Sequence, residues 1–150
     1  RGKVVATKPL NYQGKLIDNF WLVFKDGKVV EYDAQKEKNA LTNLLDTDEG
    51  SRYIGEIALI SHDSPISNTN ILFLNTLFDE NASCHMALGR AYPMNVKNGV
   101  NEKIEDLEKI GYNNSMVHSD FMFGSEDMEI VGTQFDGTKV QIFKNGNFVI

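Results

Sequence analysis

The stretch NFWLVFKDGKVVEY, residues 19–32, contains the clearest folding signal in the chain. Two runs rich in β-branched and aromatic residues flank the dipeptide Asp26-Gly27, and both residue types tolerate the positive φ angles that a two-residue hairpin turn requires. The stretch therefore predicts an antiparallel β-hairpin, and a fold containing β-structure follows from it.

Helical patterns follow the hairpin. Residues 34–45 place apolar side chains at helical spacing among Lys, Glu, Gln and Asn, which predicts an amphipathic helix, and Thr47 or Asp48 can cap a short helix after it. The acidic residues that follow the apolar run 71–78 predict a helix over 79–91, and a third helix is predicted over 102–110.

The remaining segments have β-character. Residues 55–60 form an apolar run interrupted only by Glu56, which places this carboxylate on or just before a buried strand. Further strands separated by turn residues are predicted over 115–122, 128–133, 140–143 and 148–150. We therefore expect one α+β domain over residues 1–150, with a mixed or largely antiparallel sheet and a few short helices.

Composition limits the functions that this domain can have. A chain of 150 residues with 41% hydrophobic residues can fold without a disulfide or a structural metal. The net charge of −6 argues against nucleic acid and anionic membranes as partners. A single cysteine, Cys84, favours a reducing, cytoplasmic setting, and the start at Arg1 without a methionine leads us to expect a piece of a longer chain.

Two of the three histidines lie near other chemically active residues. His118 and Asp120 are two positions apart in a segment with strand character, so both side chains point to one face and can address the same ion. A plain hydrogen bond between them is the alternative. His85 and Tyr92 are seven positions apart in the predicted helix, so they share a cavity there or merely line a packed helix face. His62 lies in a polar turn and is expected at the surface.

The carboxylates also have two interpretations each. Glu56 in an apolar run needs a cation, which is either a metal ion or Arg52 four residues earlier. Glu80 is either a site residue or a residue favoured at the N-terminus of a helix. Together, three carboxylates and two imidazoles form an O and N ligand set without a thiolate, which suits Zn, Mn or Co in a hydrolytic site. We expect Cys84 to be a small buried side chain rather than a ligand.

Ten short motifs carry a resemblance to a known family. In order and approximate spacing, they resemble the C-terminal region of the thermophilic metalloaminopeptidases, the family of aminopeptidase T and aminopeptidase S. The motifs are TKPL (7–10), DEG (48–50), GEIAL (55–59), SPI (64–66), NTLFDENA (75–82), CH (84–85), ALG (87–89), AY (91–92), NS (114–115) and VHSDFM (117–122).

The resemblance implies a fold, an activity and a site. It implies the C-terminal domain of a two-domain metallopeptidase that removes the first residue of short peptides with a free N-terminus, using two divalent metal ions such as Zn, Co or Mn. The ligands it implies are Glu56 as a shared ligand, His85, His118 and Asp120. Glu80 is implied as either a ligand or the general base, and Tyr92 as the active-site tyrosine.

The resemblance also implies that part of the site lies outside this chain. The family has a further glutamate ligand and an N-terminal domain upstream of the first matching motif, so we expect an incomplete catalyst here and a homodimer in the full-length protein. A non-catalytic binding or assembly module is the alternative, and hydrolysis of another amide or ester is a third possibility. The residues themselves identify no specificity pocket.

Overall fold

A computed structural model describes all residues from 1 to 150. Ten strands and three α-helices, joined by short 3-10 turns, form an α+β fold in which every strand pair is antiparallel. The strands are β1 (Gly2–Val5), β2 (Leu10–Tyr12), β3 (Lys15–Lys25), β4 (Lys28–Lys36), β5 (Ile54–Ala58), β6 (His85–Gly89), β7 (His118–Met122), β8 (Ile130–Thr133), β9 (Lys139–Lys144) and β10 (Asn147–Phe148); the helices are α1 (Lys38–Leu45), α2 (Thr76–Asp79) and α3 (Ile104–Lys109).

The predicted hairpin is confirmed, and its two strands extend beyond residues 19–32 at both ends. β3 and β4 pair around Asp26 and Gly27, whose φ angles of 51° and 80° are both positive, as the tight turn requires. β1 and β2 pair with successive parts of the other edge of β3, which completes a four-stranded sheet.

Helix α1 closes the core over this sheet. Its buried face consists of Ala40, Leu41, Leu44 and Leu45, which pack in one cluster with Phe20 and other side chains of β3. The prediction of a helix from residue 34 is wrong at its start, because Ala34 pairs with Phe20 in β4 and the helix begins at Lys38. Strand pairing with β3 outweighs the weak helical preference of residues 34–36.

A second sheet has the order β5-β6-β7. The helix predicted over 79–91 is wrong, since only one helical turn and a 3-10 turn precede Ala82, and residues 85–89 form the central strand β6. A strand paired on both sides is largely buried and loses the polar alternation that identifies strands in sequence. At Gly89, where φ is +94°, an added Cβ would lie 2.1 Å from the carbonyl oxygen of Val117, so this close approach requires glycine.

The C-terminal elements match the predicted pattern. β8, β9 and β10 form an antiparallel meander, and α3 lies within the helix predicted over 102–110. None of the three α-helices has the length and apolar character needed to cross a membrane.

Candidate metal centre

The two faces of the β5-β6-β7 sheet have opposite roles. Met86, Leu88 and Phe121 point to one face and pack on the hydrophobic cluster of the hairpin and α1, with the rings of Phe20 and Phe121 5.6 Å apart. Because side chains alternate along a strand, the neighbouring positions His85 and Asp120 point to the other face. The hydrophobic core thus fixes the sheet that carries the polar groups.

Strand register brings three chemically important positions into one row. Glu56 lies opposite Ala87, and Ala87 lies opposite Asp120. The small Ala87 side chain between the two carboxylates leaves space on this face of the sheet. A ligand oxygen of Glu56, one of Asp120 and a ring nitrogen of His85 all lie within 4.8 Å of one another, which is a group able to hold a metal ion.

Glu56 is shared between both imidazoles. Its Oε1 lies 3.5 Å from His85 Nε2, and its Oε2 lies 3.8 Å from His118 Nε2. His118 Nε2 is also 3.4 Å from Asp120 Oδ1. The prediction that His118 and Asp120 share a face is confirmed, since both lie on β7. All four ligand candidates therefore converge from three strands.

Backbone carbonyl groups orient the two imidazoles. His118 Nδ1 lies 2.7 Å from the carbonyl oxygen of Arg90, and His85 Nδ1 lies 3.3 Å from that of Ser83. A ring nitrogen facing a carbonyl oxygen must carry hydrogen, so in a neutral ring Nε2 is left with a free lone pair. This is the arrangement found around histidine metal ligands.

The electrostatics of the cluster favour a cation. Asp120 is 5% exposed, and its Oδ1 has no hydrogen-bond partner, which is unusual for a buried carboxylate. The Asp120 carboxylate, whose Oδ1 lies 3.4 Å from His118 Nε2, raises the pKa of His118 to about 9, although burial opposes this change. Burial and the neighbouring Asp120 carboxylate raise the pKa of Glu80. The cluster therefore holds excess negative charge that a divalent ion would neutralise.

Tyr92 lies at the open side of this cluster. Its ring centroid is 4.8 Å from that of His118, and 43% of the residue is exposed. Burial and the charges of Asp120, Glu56 and Glu80 raise the pKa of its phenol. Tyr92 therefore keeps its hydroxyl hydrogen and can act as a hydrogen-bond donor.

A cleft of about 400 Å³ opens over these groups. No lysine or arginine lines it, and the guanidinium of Arg90 instead donates hydrogen bonds to Ser115 and Asn114. The lining residues are Asn11, Tyr12, Glu56, Thr76, Leu77, Glu80, Tyr92, His118, Ser119 and Asp120. The cleft thus suits a positively charged or amine-bearing ligand.

Several expectations for individual residues require correction. His85 belongs to the cluster and Tyr92 lies at its open side, but no helix joins them, since His85 is on β6 and Tyr92 follows that strand. Arg52 pairs with Asp46 rather than with Glu56. Glu80 follows the end of α2 and begins a 3-10 turn of only three residues, Glu80–Ala82, which is too short for a helix dipole to explain its position.

The expectation for Cys84 agrees with the structure, whereas that for His62 does not. Cys84 is a free, fully buried residue whose Sγ contacts the backbone of Ile60, and burial raises the pKa of its thiol. His62 was expected at the surface, but it is half-buried because its segment packs beside the turn at Gly146; it does not line the cleft.

Several residues that form the walls of the cleft were not predicted from the sequence. Tyr12 is the last residue of β2, whereas Thr76 and Leu77 lie on α2, just before Glu80. No local pattern marks them, because they meet only through the packing of distant segments. The apolar run 71–78 was a visible signal, but it indicates burial and not a cleft.

An O and N ligand cluster on a β-sheet defines the class of this molecule as a candidate divalent-metal hydrolase. The family model described as "Thermophilic metalloprotease (M29)" matches residues 1–148. The chain belongs to this family.

Curated proteins named as aminopeptidases, and the solved structure of one aminopeptidase T, are similar to this chain. The chain is 53% identical to "Aminopeptidase 2" of Geobacillus stearothermophilus over 98% of its length, and 44% identical to "Aminopeptidase T" of Thermus aquaticus over 99%. It superposes on "Wild-type AmpT from Thermus thermophilus" with a TM-score of 0.90 and 42% identity, covering 99% of this chain. In each case the chain spans only 36% of the length of the protein it matches.

Proposed function

We propose that the chain is the C-terminal domain of a two-domain, metal-dependent aminopeptidase that removes the first residue of short peptides. The observation that supports this best is the buried Asp120 Oδ1, which accepts no hydrogen bond and lies within a group of N and O ligands. The names of the relatives supply the reaction class, since several of them are called aminopeptidases.

In this proposal Glu56, His85, His118 and Asp120 would hold two divalent ions, drawn from Zn, Co and Mn. Glu56 is shared, because its two oxygens face different imidazoles. When bound, such ions supply an activated water and polarise the scissile carbonyl group.

The side chains around the ligands carry the remaining steps. Glu80, whose pKa is raised by burial and by Asp120, accepts the proton of the attacking water and passes it to the leaving amine, or serves as a further ligand. Tyr92 donates its phenolic hydrogen to the oxygen that becomes negative in the transition state. The acidic lining of the cleft attracts the free ammonium group of the substrate.

The proposal assigns part of the catalyst to the longer protein. We infer that a further glutamate ligand comes from outside residues 1–150, that the isolated chain is inactive or weakly active, and that the full-length protein is a homodimer. Because the one cysteine is free and buried, we assign the protein to the cytoplasm.

The deciding experiment compares this chain with the full-length protein after addition of Zn, Co or Mn. We expect the full-length protein to cleave peptides with a free amino group and to spare their N-acetylated forms. Equal cleavage of the blocked peptides would contradict an aminopeptidase.

Elemental analysis after dialysis tests the ligand set. About two metal equivalents per full-length chain are expected for a two-metal hydrolase. Absence of both metal and activity in the full-length protein would instead support a binding or assembly module.

A further inference from the structure

An exposed apolar segment borders the candidate metal centre. We call residues 71–78, with the sequence ILFLNTLF, the apolar strap. Ile71, Phe73, Leu74, Leu77 and Phe78 are all more than a third exposed, and Leu77 reaches 75%. Contiguous exposed apolar side chains on a soluble protein mark a binding surface more often than isolated ones do.

Buried polar contacts hold the strap in one conformation. The carboxylate of Asp79, 5% exposed, accepts hydrogen bonds from the backbone N–H groups of Phe73 (2.8 Å) and Asn75 (3.0 Å). Between them Leu74 adopts φ 57°, a left-handed conformation that is unfavourable for leucine. The side-chain amide of Asn11 on β2 donates to the carbonyl oxygen of Leu74. These hydrogen bonds therefore fix the backbone of the strap relative to β2.

One end of the strap reaches the cleft. Thr76 and Leu77 line the same 400 Å³ space as Glu56, His118 and Asp120. Tyr12, at the end of β2, lines it as well. An aliphatic side chain and a phenol ring therefore border a cleft whose other lining groups include the three carboxylates and the imidazole of His118.

We propose that Leu77 and Tyr12 form the subsite for the side chain of the substrate's first residue, and that they favour aliphatic residues such as leucine over alanine. The proposal rests on the proposed aminopeptidase function. If the substrate ammonium lies against the acidic groups, the first side chain must fall on a wall of the same cleft. Leu77, Tyr12 and Tyr92 are the hydrophobic residues that line it, and because Tyr92 is assigned to the carbonyl oxygen, Leu77 and Tyr12 are left for the side chain.

The test uses the metal-loaded full-length protein with leucine and alanine p-nitroanilides. We expect Leu77→Ala to lower kcat/KM for the leucine substrate about tenfold and to leave the alanine substrate within about twofold, as removal of contacts in an apolar pocket does. Tyr12→Ala should shift the same ratio in the same direction. Leu16→Ala, at an exposed leucine of β3 outside the cleft, should change neither value.

Measuring the binding of free amino acids tests the subsite without relying on catalytic activity. Calorimetric titration with free leucine and free alanine should show weaker leucine binding to Leu77→Ala, with unchanged metal content and thermal midpoint. Equal losses for both substrates, or a wild-type protein without preference for leucine, would overturn the subsite while leaving the aminopeptidase assignment intact. Failure of the wild-type protein to cleave any free-amino substrate would overturn the proposed function and the subsite with it.

Discussion

The hairpin with its helix and the three-stranded site sheet bury different kinds of residue. Around β3 and α1 the buried side chains are apolar, from Ile17 to Leu45. In and beside the site sheet, buried positions include His85 and Asp120, with Asp79 next to the cleft. The first region supplies stabilisation by burial of apolar surface, whereas the second contains ionisable groups whose burial is unfavourable without a partner. Substitutions should therefore affect stability in one region and activity in the other.

The largest expected effect is on activity in the site sheet. In the full-length protein, His118→Ala or Glu56→Ala removes a ligand candidate, and we expect turnover of a leucine p-nitroanilide to fall by about ten-thousandfold or more, which corresponds to about 5.4 kcal/mol. Steady-state kinetics measure this loss. His62→Ala is the matched control and should keep its activity, because His62 lies outside the cleft. Near-wild-type turnover of His118→Ala would refute the metal-centre assignment.

In the hairpin core we expect a loss of stability rather than a loss of activity. Phe20 is fully buried and packs on Phe121. Phe20→Ala should lower the free energy of unfolding by about 3–5 kcal/mol, because it leaves a cavity in a packed interior. Urea denaturation of this chain measures the change. Phe135→Ala, at a fully exposed phenylalanine, should change it by less than about 0.5 kcal/mol. Similar values for the two variants would argue against the core described here.

An intermediate effect is expected at Asp48, which links the two regions. Its carboxylate accepts hydrogen bonds from Ser51, Ser115 and the N–H of Met116. Partial burial opposes ionisation, but these hydrogen bonds outweigh it and lower the pKa from 3.8 to about 2. Asp48→Ala should reduce the free energy of unfolding at pH 7 by about 1–3 kcal/mol, because buried donors lose their acceptor. Asp106→Ala, on the exposed side of α3, should change it by less than about 0.5 kcal/mol.

The pH dependence of this contribution has a defined sign. Because the folded-state pKa lies below the ordinary value, the ionised form of Asp48 stabilises the fold above about pH 4, and that stabilisation disappears as the pH falls through about 2. The difference in stability between wild type and Asp48→Ala should therefore shrink over this window. A constant difference in acid denaturation curves from pH 5 to pH 2 would contradict the hydrogen-bonded carboxylate.

The smallest expected effect is an increase in stability, whereas the preceding substitutions lower activity or stability. Burial and the Asp120 carboxylate disfavour the charged form of Glu80 in the metal-free chain. Glu80→Gln should therefore stabilise the metal-free chain at pH 8 by a few tenths of a kcal/mol, within the ordinary range for a half-exposed group. Thermal unfolding measures the shift. Glu49→Gln, at an exposed carboxylate near Asp48, should give no such increase, and destabilisation by Glu80→Gln would show that the site carboxylates do not repel one another.

Local patterns predicted some elements well and others poorly. The hairpin at Asp26-Gly27 and the C-terminal meander were predictable, because turn residues and β-rich runs act over a few positions. The helix over 79–91 was wrong because β6 is a central strand, and its pairing partners β5 and β7 lie far away in the sequence. Pairing of β4 with β3 along the hairpin, beyond the residues that carry its sequence signal, moved the start of α1 from Ala34 to Lys38.

In the candidate site too, local spacing predicted some features and not others. The spacing of His118 and Asp120 was sufficient to place both on one strand face, as observed. The association of His85 with Tyr92 was predicted for an incorrect reason, since no helix connects them. Tyr12 and Leu77 gave no local signal, because the end of β2 and the strap approach the cleft from separate parts of the chain.

By itself, the sequence determined the hairpin, the antiparallel α+β character and the O and N donor set, together with motifs shared with thermophilic metalloproteases. These properties depend on residue type and short spacing, so they are present in the linear chain. Only the tertiary structure decided that Glu56, Ala87 and Asp120 lie in one row and that Asp79 holds the apolar strap beside them. Strand register and buried hydrogen bonds join residues that are distant in sequence, and such contacts form only when the chain folds.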